Sequence, residues 1–348
     1  LEWNLVDDLV SPTKFNDLVK RRADEFASRS GRPTDQEGIK LGPLEVKHDD
    51  KSYQYSSVSV DLNPELGIAE ITILGPTDDV PNDINQMLLE GDRFWPLRVA
   101  RELDDAILQL RFNELEIGVI VFKSMGSSAE VAKYCNFLQE NKDHWLAREI
   151  VFYWTRVLKR IDLTSRSLIS LITPDSCFAG FLAEIIFASD RSFMCEDVFE
   201  EFGDLEASII LTSSNFGSHP MCNNLTRLAT RFIGQPEMIE DIELNVGRPI
   251  LAEKADALGL VSMSCDDIDW DDEVRLFLEE RTSFSPDALT AMEANTRFAG
   301  PETMETKIFG RLSAWQNWIF QRPNAVGGKG ALKLYGTGKR ADFDRKRV

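Results

Sequence analysis

Alternating apolar and polar positions mark the first clear element of the chain. Residues 53–75, YQYSSVSVDLNPELGIAEITILG, alternate around a Pro/Gly turn, which predicts two half-buried strands joined as a hairpin. Residues 96–113 change to helical spacing. One stripe of that helix consists of Val99, Leu103, Ala106, Ile107 and Leu110. The next run, ELEIGVIVFKS, is almost wholly apolar, as is typical of a strand buried on both faces.

Helical and strand patterns then alternate along the chain. A long helix is predicted at about 145–161, followed by a buried strand, LISLIT, at 168–173. A helix at about 178–189 precedes a third strand, ASIILT, at 207–212. Strands that alternate with helices predict an α/β fold with right-handed crossovers.

From residue 271 onward the pattern is helical, with predicted helices at about 271–281, 285–297 and 302–319. The last of these carries a strongly apolar and aromatic face. Its members are Phe309, Leu312, Trp315, Trp318 and Ile319. Such a face is typical of a core or of a subunit contact, and less often of a ligand wall. We interpret this region as a helical appendage that packs across a neighbour.

Two stretches near opposite ends of the chain resemble each other. When Leu5-Val6 is set over Leu260-Val261, Phe15 falls on Trp270, Val19 on Val274 and Ser30 on Ser285. Such self-similarity indicates a repeated unit, with residues 1–33 as the tail of an upstream copy. The alternative is that two amphipathic helices, each after a short strand, are alike by chance.

These patterns predict four parts. Residues 31–50 are rich in Gly, Pro, Asp and Lys without apolar periodicity, as in a linker. The predicted parts are a tail of an upstream unit (1–33), a linker (34–52), an α/β core (53–270) and a helical appendage with a basic tail (271–348).

Composition narrows the classes of function. The 348 residues carry 39 Lys+Arg against 58 Asp+Glu, a formal charge of -19, which disfavours binding to phosphate backbones or anionic lipid. No apolar run approaches the roughly 18 residues that cross a bilayer, and no signal peptide is recognisable. The expectation is a soluble, cytoplasmic protein that binds neither nucleic acid nor membrane.

Cysteine and histidine spacing offers no metal or disulfide pattern. The five cysteines (Cys135, Cys177, Cys195, Cys222 and Cys265) are widely spaced and form no C-x-x-C pair. The three histidines are His48, His144 and His219, and their spacing does not fit helical metal ligands. We therefore expect reduced thiols and no metal site.

Two predicted strand-to-helix junctions could bind a negative charge. They are VFKSMGSSAEV (121–131) and LITPDSCFAGFLAEIIFASDR (171–191). Backbone N–H groups at the start of a helix have no partner inside the helix, so they can stabilise an oxyanion. Taken alone, each junction is an ordinary strand-to-helix turn, and a binding role is the less common alternative.

The second junction, with SSNFGSHPMCNNLTRL (213–228) and ADALGLV (255–261), resembles the crotonase superfamily, whose members bind acyl-CoA thioesters. More narrowly, residues 287–336, 101–118, KDHW and DLTSRSL are similar to the carboxy-terminal half of the benzoyl-CoA-dihydrodiol lyase family. That resemblance covers nearly the whole chain. It implies a ββα superhelix, two such units in one chain, and opening of the ring of epoxidised benzoyl-CoA with formate release. No cofactor is implied beyond the coenzyme A thioester that serves as substrate.

The resemblance also implies site residues. Phe181, after Gly180, falls at the oxyanion-hole position, and a second backbone donor is expected near Ser128 and Ala129. Glu184 falls at the first catalytic glutamate, where burial could raise its pKa toward that of a general acid or base. The alternative is that Glu184 is a helix residue exposed to solvent.

The second glutamate position falls on Ser213, which departs from the family pattern because a hydroxyl accepts a proton only with an adjacent base. The bulk of Phe181 also falls where the thioester would lie. A substitute carboxylate could come from the run Glu196, Asp197, Glu200, Glu201, Asp204 and Glu206. Such runs are more typical of solvated loops.

The carboxy-terminal tail is basic, although the chain is acidic. Its cations are Arg322, Lys329, Lys333, Lys339, Arg340, Arg345, Lys346 and Arg347. They could bind coenzyme A phosphates, or the acidic surface of another subunit in a homo-oligomer, which we favour.

Three functions remain open from the sequence. The chain is a lyase portion with a live thioester site, a catalytically silent scaffold whose chemistry lies in another unit, or a hydratase or isomerase on a different acyl-CoA. Ser213 and Phe181 favour the scaffold, whereas Glu184 favours the live site.

Overall fold

The computed structural model describes residues 2–32, 37–196 and 205–346. Backbone contacts divide the chain into two compact units, Leu1–Lys40 and Leu41–Val348. The expected linker at 34–52 is therefore divided between them. Its second part packs on the core, since the Gly42 N–H donates to Asp92 Oδ2 at 2.6 Å.

The first unit contains one long helix, α1 (Pro12–Arg29). Proline at its first turn suits a helix start, because proline lacks the N–H that would be unpaired there. Arg22 on this helix pairs with Asp8 at 2.8 Å. No strand occurs within residues 2–32, and none of the α1 side chains is buried.

The second unit contains the strands. They are β1 (Lys47–His48), β2 (Ser52–Gln54), β3 (Val58–Asn63), β4 (Ile68–Leu74), β5 (Val119–Met125), β6 (Ser167–Ile172), β7 (Arg191–Cys195), β8 (Ser208–Ile210), β9 (Pro249–Leu251) and β10 (Met263–Cys265).

Within the described residues, eight of these strands form the main sheet in the order β1-β2-β3-β4-β5-β6-β7-β10. Strands β1 to β4 pair antiparallel, and β4, β5, β6, β7 and β10 pair parallel. The predicted hairpin is confirmed as β3 and β4, and the buried strands as β5 and β6. Every residue of β6 is buried, as its continuous apolar pattern requires.

Helices connect these strands and extend beyond them. They are α2 (Ile84–Glu90), α3 (Trp95–Phe112), α4 (Ser128–Glu140), α5 (Trp145–Asp162), α6 (Ala183–Ala188), α7 (Arg227–Arg231), α8 (Met238–Glu243), α9 (Ala252–Ala257), α10 (Asp267–Thr282), α11 (Pro286–Thr296), α12 (Met304–Lys307), α13 (Ser313–Ile319), α14 (Pro323–Val326) and α15 (Ala331–Leu334). A 3₁₀ turn spans Ser213–Phe216, and one π turn, Ile308–Leu312, joins α12 to α13.

The predicted α/β class is confirmed, and the helix at 96–113 appears as α3 with its whole apolar stripe buried. Helix α5 lies against α3, where Trp154 Nε1 donates to the Pro96 carbonyl at 2.9 Å. Helix α3 also packs on β3, and α5 also contacts α6, which carries Glu184.

Two predicted elements differ in the structure, and one strand of the main sheet was not predicted. The helix expected at 178–189 begins only at Ala183, because Ala179 first pairs with Ile210 as an isolated bridge. The strand expected at 207–212 is β8, which pairs with β9 in a separate two-stranded sheet. Strand β7 was not predicted, since its short sequence RSFMC directly follows a helix and shows no alternation.

The region after residue 266 is helical as predicted. The apolar face of α12 and α13 is not a core: Phe309 and Leu312 are exposed, and Trp315 stacks edge-on against Trp318 at 5.4 Å between ring centroids. The alternative of a buried face is therefore wrong, and the subunit contact stays a prediction.

Candidate functional site

The predicted site lies at the carboxyl ends of β5 and β6, where two loops are tied together. The Gly126 N–H donates to the Asp175 carbonyl at 2.8 Å, and the Cys177 N–H donates to Ser124 Oγ at 3.0 Å. Carboxyl ends of neighbouring parallel strands are where α/β proteins place ligands. The two junctions singled out in the sequence are therefore neighbours in space.

Gly180 has a φ of 47°, a backbone conformation that favours glycine. A Cβ at this position would collide with the Cys135 side chain on α4. The Gly180 N–H donates to the Ile210 carbonyl at 3.0 Å, which joins the turn to β8. This backbone donor is consequently used within the protein.

Phe181 fills the place expected for the thioester. Its side chain is only 2% exposed and stacks on Trp154, with 4.2 Å between ring centroids. Trp95 adds a tilted contact at 5.8 Å. The space left beside these rings has no room for a water-sized sphere. An acyl group has no space here unless the rings move.

Cys135 packs against the same turn. Its side chain lies next to the Gly180 backbone, where an added Cβ would collide with it. Burial raises the pKa of the Cys135 thiol to about 12, so the thiol is neutral. A neutral sulfur therefore occupies space beside the position expected for the oxyanion hole.

Glu184 is buried, with 1% of its surface exposed, so the alternative of a solvent-facing residue is wrong. Asn215 Nδ2 donates to Glu184 Oε1 at 2.7 Å, and Arg227 Nη1 donates to Oε2 at 3.1 Å. Arg227 also donates to both oxygens of Asp162, from Nε to Oδ1 at 3.1 Å and from Nη2 to Oδ2 at 2.6 Å. Burial raises the pKa of Glu184, while Arg227 and Asn215 act in the opposite direction.

His219 borders the same cluster. Its Nδ1 lies 3.1 Å from Thr155 Oγ1, and its backbone carbonyl accepts from Arg227 at 3.0 Å. Burial and the nearby Arg227 charge lower the pKa of His219 to about 3. The imidazole is therefore neutral at physiological pH.

Ser213 does not join Glu184. It begins the 3₁₀ turn and is exposed, whereas Ser214 and Asn215 point inward. Thr212 and Asn215 form a capping box, and Asn215 Nδ2 also donates to the Gly180 carbonyl at 2.8 Å. The polar partner of Glu184 is thus two residues beyond the predicted one.

Ser128 and Ala129 are the first two residues of α4. Ser127 caps this helix by accepting the Glu130 N–H at 3.3 Å. Ser128 is half-buried and Ala129 is exposed, so these helix-start N–H groups lie near the surface. The structure therefore brings Gly180, Phe181 and Glu184 together in the interior and leaves the second donor pair outside it.

Sequence reasoning missed four residues of this cluster, Asp162, Asn215, Arg227 and His219. Only Asn215 had a usable signal: the T-x-x-N spacing of Thr212 and Asn215 identifies a capped turn that directs Asn215 inward. Asp162 and Arg227 are 65 positions apart, and nothing local to either residue predicts their ion pair.

The expected substitute carboxylates do not reach this cluster in the described part of the acidic run. Glu196 is exposed and accepts from Ser264 Oγ, and Glu206 is exposed. Asp197, Glu200, Glu201 and Asp204 lie outside the described residues.

Part of the basic tail contacts this chain. Arg322 donates to Asp287 at 3.0 Å, Lys329 pairs with Asp342 at 2.6 Å, and Arg345 donates to the Glu65 carbonyl at 2.9 Å. Arg340 and Arg345 border an open cavity at the surface beside Phe284. Arg347 lies outside the described residues.

Among the residues that the structure describes, no group of three or more His, Cys, Asp or Glu side chains could hold a metal ion. No helix in the described ranges is long and apolar enough to cross a membrane.

Comparisons with solved structures define the class. The chain is similar to an enoyl-CoA hydratase from Bacillus anthracis, with a TM-score of 0.58, 15% identity, and coverage of 84% of this chain and 100% of that chain. It is also similar to an enoyl-CoA hydratase/carnithine racemase from Magnetospirillum magneticum, with a TM-score of 0.59 and 15% identity. That match covers 84% of this chain and 97% of the other chain. The chain therefore has the crotonase fold.

A curated relative makes the assignment more specific. The chain is 43% identical over 347 residues to benzoyl-CoA-dihydrodiol lyase of Aromatoleum evansii, and the match covers 100% of this chain. Its resemblance to that lyase is thereby confirmed over its whole length. The chain spans 62% of the relative. No protein-family profile matches it.

Proposed function

We propose that this chain is the crotonase-fold portion of an enzyme of the benzoyl-CoA-dihydrodiol lyase type. Such an enzyme opens the ring of epoxidised or dihydroxylated benzoyl-CoA and releases formate, with the thioester as substrate and no further cofactor. The observation that carries the proposal is the 43% identity to the lyase, which continues over 347 residues.

Within that enzyme, we infer that this portion supplies structure and that the bond breaking occurs elsewhere. The stack of Phe181 on Trp154 supports this division of roles, since a benzoyl ring would have to displace it. The Cys135 side chain supports it too, because it packs directly against the Gly180 backbone in the turn where the substrate carbonyl is expected.

The position of Glu184 gives a second, independent argument. A general acid or base must come within hydrogen-bond reach of the proton it transfers. Both oxygens of Glu184 are held by Asn215 and Arg227, and the side chain is fully enclosed. Its role in the structure is to balance the buried charge of Arg227.

A live site in this portion is the second candidate, and one observation favours it. Burial raises the pKa of Glu184, as expected for a general acid. For this candidate, Phe181 would have to leave the Trp154 stack when substrate binds, which would open the path to Gly180 and Glu184.

The proposal extends to partners and location. We place the enzyme in the cytoplasm as a homo-oligomer, with the exposed face of Phe309 and Leu312 as a subunit contact. Arg340 and Arg345, beside the open cavity near Phe284, are the groups we assign to coenzyme A phosphates if the tail contacts the substrate.

The test uses a chimera in which this chain replaces the matching segment of the Aromatoleum evansii lyase. We expect the chimera to release formate from epoxidised benzoyl-CoA, and the 348-residue chain alone to release none. The unaltered relative is the positive control. A folded chimera that binds the thioester yet releases no formate would remove the lyase assignment.

The Glu184→Gln variant of the chimera separates the two candidates. Unchanged turnover is expected for a structural portion, whereas a loss of a hundredfold or more, the usual range for a general acid or base, would place the chemistry here. Calorimetry on the 348-residue chain supplies a second readout. A filled acyl site predicts no tighter binding of benzoyl-CoA than of free coenzyme A.

A further inference from the structure

An open cavity of about 340 Å³ lies where the first strands of the main sheet meet the end of α3. Sites for small molecules usually measure roughly 300–1,000 Å³, so this cavity is large enough for a small ligand. His48 on β1, Tyr53 on β2 and Glu114 after α3 belong to its lining. The lining therefore comes from three elements that the fold holds together.

This cavity is remote from the candidate thioester site. That site lies at the carboxyl ends of β5 and β6, whereas Glu114 precedes the amino end of β5, which begins at Val119. Strand β5 is 7 residues long, so roughly 20 Å separate its two ends. The cavity is consequently a separate site, and what it binds does not depend on which function the thioester site has.

Aromatic rings form one part of the lining. His48 is paired with Tyr53 across β1 and β2, and their rings stack with 4.7 Å between ring centroids. Tyr55, two residues beyond Tyr53, lines the cavity from the same face of the chain. The faces of aromatic rings carry partial negative charge, which attracts cations.

Helix α3 contributes side chains that bear oxygen atoms. Asp105, Gln109 and Asn113 are spaced four residues apart, so they follow one face of the helix and its end. The Tyr55 hydroxyl donates to Asp105 Oδ2 at 2.7 Å, and Asn113 Nδ2 donates to Gln109 Oε1. These bonds fix the walls of the cavity on the side of α3.

Glu114 supplies a carboxylate with one oxygen available. The Tyr53 hydroxyl donates to Oε1 at 2.5 Å, and no described residue donates to Oε2. Burial and this hydrogen bond raise the pKa of Tyr53, so the hydroxyl keeps its proton. Within the described ranges, the lining contains no lysine or arginine that would neutralise the carboxylate. The cavity thus combines aromatic rings with an unpaired negative charge.

We propose that this cavity binds a small organic cation that carries an ammonium or guanidinium group. The cationic N–H groups donate to Glu114 Oε2, and the carbon part of the ligand lies against His48 and Tyr55. A hydrogen bond from a cation to a carboxylate is about twice as strong as one between neutral groups, and aromatic rings add to the attraction. An anionic ligand would be repelled by Glu114.

Calorimetric titration of the 348-residue chain tests the proposal with benzylammonium and ethylguanidinium chlorides as probes. We expect at least one of them to bind with a saturable one-to-one isotherm. Benzyl alcohol and benzoate, which resemble benzylammonium in shape but lack its charge, should not bind in this way. Absence of binding by both cations, or equal binding of benzyl alcohol and benzylammonium, would overturn the proposal.

A matched pair of variants separates this site from general attraction to a chain of charge -19. Glu114→Gln removes one charge and keeps an oxygen that accepts from Tyr53, so the cation should bind at least about tenfold more weakly. Glu116→Gln removes the same charge two residues away at an exposed position, and it should leave the affinity unchanged. Equal affinities of the two variants would contradict a site at Glu114.

Two further readouts locate the ligand. Val46 lines the cavity and is 40% exposed, so Val46→Trp fills the space without disturbing the core, and it should abolish binding. Saturating benzylammonium should slow the reaction of His48 with diethyl pyrocarbonate, measured by mass spectrometry, and leave the reaction of His144 unchanged. Binding that survives Val46→Trp, or that leaves His48 as reactive as before, would place the cation elsewhere and overturn the proposal.

Discussion

Two arginines with buried side chains, Arg227 and Arg297, each pair with one aspartate and one glutamate in different parts of the fold. Arg227 contacts Asp162 and Glu184 where the site was predicted. Arg297, just after α11, contacts Asp190 and Glu293 at 2.8 and 2.5 Å, where no site was predicted. In each cluster one guanidinium contacts two carboxyl groups, and only the Arg227 cluster is fully enclosed.

The two clusters differ in how completely they are satisfied. Arg227 donates to both oxygens of Asp162 and to the His219 carbonyl. Asn215 donates to the Glu184 oxygen that Arg227 does not contact. In the part of the chain that the structure describes, Arg297 Nε lacks a hydrogen-bond partner. Burial and the neighbouring Asp190 raise the pKa of Glu293 to about 8.

Asp162 connects the two clusters. Its side chain binds Arg227, and its backbone carbonyl accepts from Arg297 Nη1 at 3.1 Å. A buried glutamate beside an arginine suggests proton chemistry at Glu184. At Glu293 the same pair joins the helical appendage to the sheet, because Ser167 on β6 donates to Glu293. The comparison teaches that a buried glutamate beside arginine is, in this protein, a way of joining elements.

The largest effect is expected from removing the arginine of the satisfied cluster. Arg227→Met leaves Asp162 and Glu184 buried without a cation, which typically costs about 3–5 kcal/mol in the free energy of unfolding. Arg297→Met should cost less, because Asp190 is partly accessible to water. Urea unfolding measures both.

The control for this pair is Arg275→Met, which breaks only exposed ion pairs on α10. It should leave the free energy of unfolding unchanged within error. If Arg297→Met proves the more destabilising of the two buried substitutions, the ranking of the clusters is wrong.

The next effect is a pH dependence that belongs to the Arg297 cluster. Since the pKa of Glu293 rises to about 8 on folding, the folded protein binds this proton more tightly than the unfolded chain does. This contribution to stability is complete below the ordinary glutamate pKa and is lost as pH rises toward 8. The slope is at most about 1.4 kcal/mol per pH unit.

Glu293→Gln should therefore flatten the decline in unfolding free energy between pH 5 and 8, measured by urea unfolding at several pH values. Glu206→Gln, at an exposed position, should leave the decline as it is. Identical pH profiles for wild type and Glu293→Gln would show that Glu293 carries no proton in the folded state.

An opposite pH dependence belongs to the Arg227 cluster. The pKa of His219 falls to about 3 on folding, so the unfolded chain binds this proton more tightly. The contribution of His219 to the free energy of unfolding is complete above the ordinary histidine pKa. It is lost as pH falls from about 6.5 toward 3. His219→Asn, which can keep the bond to Thr155, should reduce the loss between pH 6.5 and 4 in acid unfolding. A loss as steep as in wild type would assign it to other groups.

The smallest effect is expected from Glu184→Gln. Arg227 keeps both bonds to Asp162, and Asn215 can still donate to the amide oxygen. The free energy of unfolding should fall by about 1 kcal/mol, the usual net value of one buried hydrogen bond. Thermal unfolding checks this, with Glu293→Gln as the matched change in the other cluster. A loss above that of Arg227→Met would mean that Glu184 does more than balance charge.

The sequence by itself determined the elements whose periodicity is strong. The buried strands β5 and β6 and the helices α3, α5 and α10 follow from runs of apolar residues at spacing 1 or 3.6, and this signal is local. The α/β class follows from their alternation. The resemblance of the repeated segments at residues 5 and 260 was also legible in the sequence alone.

Only the tertiary structure decided which residues meet at the site. Asp162, Glu184 and Arg227 meet from three distant segments, and no local pattern records a contact of that range. The sequence predicts a bulky side chain at Phe181. Its stack on Trp154 depends on how α5 crosses the turn, which the sequence does not specify. Likewise, Trp270 and Val274 of α10 are buried, whereas their counterparts Phe15 and Val19 of α1 are exposed. Burial depends on the surface that a segment meets, which its own residues do not specify.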